Sequence, residues 1–323
     1  MPAASPAQSP PGFRGIIRIL PDFDDDLFLE LFHKSAHAGW TSRDVNWTVP
    51  LQLSARQAEA LAHLLTPVYL GEQTAMLGAG RVLTQLMEAG ESSAQLYVAA
   101  FIMDEARHFE ALTRLYQHLG HDPLSIRAMP EMLRFHHRLR RGDRIDWTWG
   151  ILISDLFARL FYQSFARSQR QALFGQLATR ILQDESRHQA FAVRYLSRRV
   201  PALSPARRRA LIETRDEILR MVPRGVDRIR SDCEVLNFDG DRFVLELCAE
   251  LEHVSTRIGL CDSGPPEPPR APTQPGHDSP AEENIQIDAE PVPSQATGLL
   301  PRCFGCLVAS LCAPTSARYA LAT

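Results

Sequence analysis

The sequence lacks a strong excess of either charge and lacks any long hydrophobic run. Its 323 residues carry 35 basic and 38 acidic side chains, a formal net charge of −3, so no broad positive field gathers nucleic acid. No run of about 18 apolar residues is present to form a membrane span, and the N-terminus has no secretory signal. We therefore expect a cytoplasmic protein with neither nucleic acid nor a membrane among its partners.

Cysteine is absent from the first 232 residues and sparse in the rest of the chain. The pair Cys303 and Cys306 has the spacing of half a zinc site, but Cys312 alone does not complete the four ligands that zinc requires. The six cysteines are too widely spread for the disulfide framework of a small secreted domain. Reduced thiols are expected at Cys233, Cys248, Cys261, Cys303, Cys306 and Cys312.

Composition divides the chain into three parts. Residues 1–12 contain four prolines among small and polar residues, which predicts a disordered leader because little apolar surface is available to offset the entropy of ordering. Residues 13–260 carry the helical patterns of a folded domain. Residues 261–323 begin with a stretch rich in Pro, Glu, Asp, Ser and Gly, which predicts a disordered linker followed by a tail with no assigned role.

The folded part is predicted to be all-α. Apolar residues recur at three- and four-residue spacings across long windows rich in Ala, Leu, Gln, Glu and Arg, and strand-like alternation is scarce. Thr66-Pro67 is expected to kink or split the first long helix. Cap and stop residues predict four long helices at about 54–90, 92–120, 146–170 and 171–199, with two further helices at about 204–222 and 242–259.

Two pentapeptides in the second and fourth long helices form an internal repeat. A Glu and a His three residues apart lie one turn apart on the same helix face, so each pair can offer a carboxylate oxygen and an imidazole nitrogen to one metal ion. Two such pairs imply two metals. The repeats are Asp104-Glu105-Ala106-Arg107-His108 and Asp184-Glu185-Ser186-Arg187-His188.

Each repeat is preceded by a carboxylate in an apolar stretch of the previous long helix. Glu72 stands 33 residues before Glu105, and Asp155 stands 30 residues before Glu185. A lone carboxylate buried in such surroundings costs several kcal/mol unless it is paired. The side chain of Asp155 is one methylene shorter than that of a glutamate. The predicted metal ligands therefore form two sets of three: Glu72, Glu105, His108, Asp155, Glu185 and His188.

The residues beside the ligands have a predicted supporting role. A metal-bound histidine commonly donates its second ring N–H to a carboxylate, which fixes the orientation of the ring. Asp104 and Asp184 are expected to do this for the histidine of the opposite repeat. Arg107 and Arg187 are expected to pair with the same aspartates and balance their charge.

Over about residues 40–200 these motifs resemble the ferritin-like di-iron carboxylate superfamily, in particular the branch that holds the ribonucleotide reductase small subunit and di-iron oxygenases. The resemblance implies a ferritin-like four-helix bundle with additional flanking helices. It also implies two Fe ions, or a Mn/Fe pair, and dioxygen activation that hydroxylates or desaturates a small organic substrate. An electron-donor protein, a ferredoxin or a reductase, is then needed, and a homodimer is one possible assembly.

At two positions the sequence differs from motifs of related proteins. The reductase small subunit carries a radical tyrosine one turn beyond its first histidine ligand, where this sequence has Leu112. The related arylamine N-oxygenases carry a third histidine one turn before their last glutamate ligand, where this sequence has Ile181. Radical storage and N-oxygenation of those types are therefore disfavoured. An iron-oxidising, storage or peroxide-scavenging protein and a non-catalytic bundle with structural metals remain as alternatives.

Positions one turn from the ligands are predicted to line a substrate pocket. Most are apolar, as small-molecule sites are. Arg159 is the polar exception. Three roles are open to it: it grips a substrate carboxylate, neutralises the acidic ligands, or pairs with Asp104 or Asp184 beside them. Tyr162 is a second catalytic candidate. The other predicted lining residues are Tyr69, Met76, Phe101 and Phe109.

Two basic or histidine-rich clusters are interpreted as solvated surface. His136-His137 lies in a polar, arginine-rich stretch that is predicted to connect helices. Arg207-Arg208-Arg209 follows a probable helix start, and three consecutive charges spread around the circumference of a helix. Neither cluster is assigned a function.

Overall fold

A computed structural model describes residues 20–168 and 172–260, which are α-helical with short 3₁₀ turns and no strand. The predicted leader, the predicted linker and tail, and the four cysteines from Cys261 onward lie outside the described residues. The α-helices of the described part are α1 Asp26–His37, α2 Ala55–Ala89, α3 Ser92–Leu119, α4 Pro130–Leu139, α5 Arg144–Ser168, α6 Leu173–Ser197, α7 Pro205–Arg228, α8 Arg230–Val235 and α9 Gly240–Arg257.

The four predicted long helices are α2, α3, α5 and α6. The hydroxyl of Ser54 accepts from the backbone N–H of Gln57, whose side chain accepts from the backbone N–H of Ser54, so a capping box starts α2. Gly90 and Gly120 end α2 and α3 in the left-handed region, at φ 74° and 69°. Helix α2 packs along α3 and α5 along α6, and α2 also packs on α5. The two helical hairpins therefore form one bundle.

The expected interruption of the first long helix is absent from the structure, and a glycine inside the third does not break that helix. Helix α2 continues through Pro67 for 35 residues, so the expected split does not occur. Helix α5 begins at Arg144 and continues through Gly150. A Cβ at Gly150 would lie 2.5 Å from Cδ1 of Leu139, so the glycine allows close packing of α4 on α5 rather than breaking the helix.

The remaining helices surround the bundle, and the sequence patterns missed three of them. Helices α1, α4 and α8 have 12, 10 and 6 residues, and such short periodic patterns are hard to separate from loops. The predicted helix from Ser204 continues past Val222 to Arg228 as α7, with Pro223 inside it. Helix α1 packs on α3, α4 on α7, α8 on α2, and α9 on α5 and α7.

The interior of the bundle is filled by large side chains. The biggest fully buried ones include Trp147, Trp149, Tyr97 and Tyr195. Trp149 donates from Nε1 to the carbonyl oxygen of Leu211 at 3.1 Å, which ties α5 to α7. Within the two described ranges, no helix is long and apolar enough to cross a membrane.

Two glycines in α2 provide a matched stability test. A Cβ at Gly78 would overlap the buried ring of Trp147, whereas a Cβ at Gly80 meets nothing within 4 Å. We expect Gly78→Ala to destabilise the fold by about 1–3 kcal/mol because the core is overpacked there. Gly80→Ala should stabilise it by about 0.5–1 kcal/mol through helix propensity. Urea unfolding of both variants measures the difference, and equal effects would contradict the close approach of α2 and α5.

Candidate metal centre

The six predicted ligands lie together in the bundle core, although they come from four helices. Each of them is at most 4% exposed. Donor atoms of Glu72, Glu105, His108 and Glu185 lie within 4.8 Å of one another, and so do donor atoms of Glu105, Asp155 and His188. Glu105 belongs to both sets, so the arrangement has the form of two adjacent sites that share a carboxylate.

In each histidine, Nδ1 faces the carboxylates. Nδ1 of His108 lies 3.4 Å from Oε2 of Glu72 and 3.8 Å from Oε1 of Glu185. Nδ1 of His188 lies 3.1 Å from Oε1 of Glu105 and 3.5 Å from Oε2 of Glu185. Both imidazoles therefore present the same ring nitrogen to the cluster, one from each hairpin.

The opposite ring nitrogen of each histidine meets an aspartate of the other repeat. Nε2 of His108 lies 3.0 Å from Oδ2 of Asp184, and Nε2 of His188 lies 3.4 Å from Oδ2 of Asp104. Since a carboxylate accepts, these contacts place the proton on Nε2 and leave the Nδ1 lone pair for a metal. The structure thus has the crossed pairing that the sequence predicts.

The two arginines of the repeats close this network. Arg187 donates to Asp104 at 3.1 Å and also to Asp184, so it links the two aspartates. Arg107 donates to Asp104, and its Nη2 lies 3.7 Å from Oδ2 of Asp184. Two buried carboxylates therefore face two guanidinium groups, and their negative charge is compensated without using the ligand carboxylates.

Two further residues support the aspartates and were not identified from sequence. Trp40 donates from Nε1 to Oδ2 of Asp184 at 2.8 Å, and Ser35 donates to both oxygens of Asp104 at 3.0 Å. Trp40 also stacks on His108, with ring centroids 6.1 Å apart. Both lie in or just after α1, far from the repeats along the chain. A tryptophan in an otherwise polar segment was the only signal in the sequence.

Crowding of buried charge shifts the titration of the cluster. Burial and the nearby charge of Glu72 raise the pKa of Glu105 well above its usual value, and burial with the charge of Glu185 does the same to the pKa of Asp155. Burial alone would lower the pKa of His108, but the charge of Glu72 and the hydrogen bond to Asp184 outweigh it and raise this pKa. The negative charges of the ligand carboxylates therefore repel one another strongly when no cation is bound between them.

The donor set fits two metal ions. In the described part of the chain, five buried ligand atoms make no hydrogen bond: Glu105 Oε1, His108 Nδ1, Asp155 Oδ2, Glu185 Oε2 and His188 Nδ1. Buried polar atoms of this kind normally have a partner. Four carboxylates and two imidazoles from four helices are the ligands that dinuclear carboxylate bundles use, and two divalent cations would neutralise the four acids.

A cavity of about 590 Å³ reaches the carboxylate side of this cluster. Its inner end is lined by the four ligand carboxylates, Glu72, Glu105, Asp155 and Glu185. The two predicted histidine ligands, His108 and His188, do not line it. Its walls are mainly apolar and come from α2, α4, α5 and α7. Among the apolar lining residues are Val68, Ala75, Met132, Phe135, Ala158 and Met221.

The structure corrects the predicted pocket lining. Arg159 forms an ion pair with Glu250 of α9 at 2.8 Å and lines a different groove between α5, α6 and α9, so it does not face the cavity. Tyr162 does not line the cavity either; its hydroxyl donates to Oε1 of Glu72 at 3.0 Å. Arg159 is therefore not placed to grip a substrate in this cavity, and Tyr162 contacts a predicted ligand instead of lining the cavity.

The other predicted lining residues also face their neighbours in the bundle. Tyr69 stacks on Phe109 at 5.1 Å between ring centroids, and Phe101 packs on the ring of His188 at 4.2 Å. Neither these three nor Met76 lines the cavity. One-turn spacing along a helix cannot show which side faces α4 and α7, because those helices were not assigned to the site.

Removal of either histidine tests the cluster. We expect His108→Ala and His188→Ala to lower the iron bound after Fe(II) loading, because each variant removes the only imidazole donor of one site. His118→Ala, an exposed position in α3, should bind as much iron as the unchanged protein. Elemental analysis measures the metal per chain, and full two-metal binding in both core variants would show that these histidines are not ligands.

Comparison with known proteins gives structural likeness only. No protein-family model and no curated protein matches the sequence. An R2-like ligand-binding oxidase variant with an Fe/Fe cofactor is 19% identical, with a TM-score of 0.64 over 74% of this chain and 95% of that chain. Another variant, with a Mn/Fe cofactor, is 18% identical, with a TM-score of 0.63 over 75% of this chain and all of that chain. The chain therefore has the ferritin-like, all-α helical-bundle fold of the R2-like ligand-binding oxidases.

Proposed function

We propose that this protein is a non-haem oxidoreductase that binds two iron ions, or one manganese and one iron, and oxidises a small organic substrate with dioxygen. The observation that carries the proposal is the set of five ligand atoms that are buried without hydrogen bonds at the inner end of an apolar cavity. The metal ligands would be Glu72, Glu105, His108, Asp155, Glu185 and His188. The Mn/Fe and Fe/Fe cofactors of the similar oxidases support this assignment.

Bound metals would supply the redox chemistry that protein side chains lack, namely electron transfer to dioxygen. The chain's own residues prepare the site. Asp104 and Asp184 fix the histidine rings and their protons, and the arginines that bridge them keep these aspartates charged. The pKa of Asp184 is held below its usual value: burial would raise it, but the hydrogen bond and charge of His108 and the charge of Arg187 outweigh burial.

Tyr162 orients Glu72 through its hydroxyl. Burial and the charge of Glu72 raise the pKa of Tyr162 well above its usual value, so the phenol stays protonated and continues to donate. A glutamate held in this way presents its other oxygen to the cluster. We infer that Tyr162 positions a metal ligand and does not touch the substrate.

The substrate class follows from the cavity. A volume of about 590 Å³ suits one small organic molecule, since such sites span about 300–1,000 Å³. Most of its wall area is apolar and adjoins the carboxylate side of the cluster, where the reaction would occur. We infer a substrate that is largely apolar at the position that is oxidised, by hydroxylation or desaturation.

The electron balance requires a partner. Reduction of dioxygen to water takes four electrons, and hydroxylation or desaturation of a substrate supplies two of them. The other two must come from a donor, for which we propose a ferredoxin or a reductase.

The rival function is iron oxidation or peroxide scavenging without an organic substrate. The same ligands serve both. The apolar cavity favours the oxidase, because walls such as Phe135 and Met221 suit an organic molecule and offer no oxygen or imidazole ligand to a ferrous ion. Metal analysis after iron loading, followed by oxygen uptake of the reduced protein, tests the proposal; about two metals per chain are expected. Binding of no metal, or assembly into a cage that stores many irons, would overturn it.

Filling the cavity separates substrate binding from metal binding. Ala158 lines the cavity three residues after Asp155, so we expect Ala158→Phe to lower the binding of apolar ligands at least about tenfold by occupying their space. Metal content should stay the same. Ala190→Phe is the control, since Ala190 is an exposed helical alanine that does not line the cavity. Calorimetric titration with apolar ligands measures the effect, and equal affinities in the two variants would contradict the proposed substrate site.

A further inference from the structure

Positive charge is concentrated on one side of the molecule. The segments 126–141 and 205–228, which contain α4 and α7, carry twelve arginines against five carboxylates, whereas the whole chain has a net charge of −3. We call the surface of these two segments the arginine face. The excess on this face is invisible in the overall charge, because the rest of the chain is acidic.

Hydrogen bonds show how α4 and α7 lie together. Arg138 near the end of α4 donates to Thr214 and Glu217 near the middle of α7, at 2.8 and 2.6 Å. Glu131 at the start of α4 accepts two bonds from Arg228 at the end of α7, at 2.9 and 2.7 Å. The two helices are therefore antiparallel.

This antiparallel pairing brings exposed arginines from both helices to the same level. Arg134 lies between Glu131 and Arg138 in sequence, and Arg220 and Arg224 lie between Glu217 and Arg228. All three are exposed. The pairing therefore places three exposed arginines at the same level of two packed helices.

Most of this positive charge is uncompensated. Four arginines of the face pair with carboxylates: Arg138, Arg207, Arg215 and Arg228. The other eight have no carboxylate partner among the described residues, and seven of these are exposed. The eight are Arg127, Arg134, Arg140, Arg141, Arg208, Arg209, Arg220 and Arg224.

The cavity opens on the arginine face. Of the residues that line it, the exposed ones are Arg127, Ala128 and Arg228. They come from the turn before α4 and from the end of α7, so the mouth lies between these two elements. A substrate that reaches the metal ligands must pass this surface.

Apolar side chains also project from the face. Ile126 is 38% exposed beside Arg127, and Leu133 is 39% exposed beside Arg134. Single exposed apolar residues are ordinary, but these two lie next to uncompensated arginines and on the helix and turn that form one wall of the mouth. Cationic groups with interleaved apolar side chains are the composition of surfaces that bind a bilayer interface.

We propose that the arginine face docks on an anionic lipid surface, with the mouth of the cavity turned toward the bilayer. The arginines would contact lipid phosphates, while Ile126 and Leu133 would enter the headgroup region. Nucleic acid or an acidic protein would use the charge but would leave these two side chains and the apolar mouth unused. This inference reverses the expectation from sequence, which considered only membrane spans and overall charge.

Docking itself does not depend on the proposed oxidase. Delivery of an apolar substrate from the bilayer to the cavity does rest on that function. The experiment therefore measures binding alone, with the full chain, both metal-loaded and metal-free. Metal content reports on the proposed function separately, so the failure of one proposal is distinguishable from the failure of the other.

Vesicle co-sedimentation tests the docking surface. We expect the protein to pellet with vesicles of phosphatidylcholine that contain about one third phosphatidylglycerol, and not with phosphatidylcholine alone. Binding should weaken between about 0.1 and 0.5 M salt because the contacts are screened. Equal pelleting with both vesicle types, or pelleting with neither, would overturn the proposal.

Charge-reversal variants locate the surface. Arg134→Glu, Arg220→Glu and Arg224→Glu together should lower binding on the order of a hundredfold, since each basic residue near an anionic membrane adds to the attraction. The control reverses three exposed arginines on other elements, Arg43, Arg167 and Arg257, and changes the net charge equally. Equal loss in the two variants would show that the overall charge, and not this face, controls binding.

A second variant separates a bilayer from other anionic partners. Ile126→Ser with Leu133→Ser keeps every charge and should weaken vesicle binding several-fold, because the inserted apolar area is lost. Its binding to heparin, a polyanion without a bilayer, should stay unchanged. A protein that binds heparin but no anionic vesicle, or a double variant with full vesicle affinity, would overturn the lipid assignment.

Discussion

The structure depends on the burial of four carboxylates and two imidazoles in the core of a helical bundle. Without bound cations such a cluster opposes folding, because each carboxylate loses its hydration and repels the others. Neighbours in contact with the cluster relieve part of this cost: Tyr162 donates to Glu72, and two aspartates hold the histidine rings. The remaining uncompensated negative charge favours the binding of cations.

The sequence predicted the ligand cluster better than its surroundings. The repeats around Glu105 and Glu185 predicted the buried cluster of carboxylates and imidazoles, because helix periodicity alone places Glu and His on one face, and burial follows from the apolar flanks. The sequence also predicted that Asp104 and Asp184 each contact the histidine of the opposite repeat. The sequence did not predict the contacts of Arg159, whose partner Glu250 lies on another helix, or those of Trp40. Contacts between segments that are distant along the chain leave no periodic pattern. The short helix α4 was missed because ten residues are too few for a clear periodic pattern.

The division between core and flanking helices separates two properties of the protein. All six predicted ligands lie on α2, α3, α5 and α6, whereas α4 and α7 wall the cavity and carry its mouth. Substitutions in α4 and α7 can therefore reshape what enters the cavity without disturbing the donor atoms. The predicted donor atoms thus come from the four bundle helices alone, whereas the cavity walls come from bundle and flanking helices together.

The crossed aspartates give the metal site a cooperative origin. Asp104 of one hairpin orients His188 of the other, and Asp184 returns the same contact to His108. A single hairpin would hold its own glutamate and histidine but would leave the imidazole free to turn. Neither half of the bundle can therefore form half of the site, and an ordered donor set is evidence that both hairpins have docked.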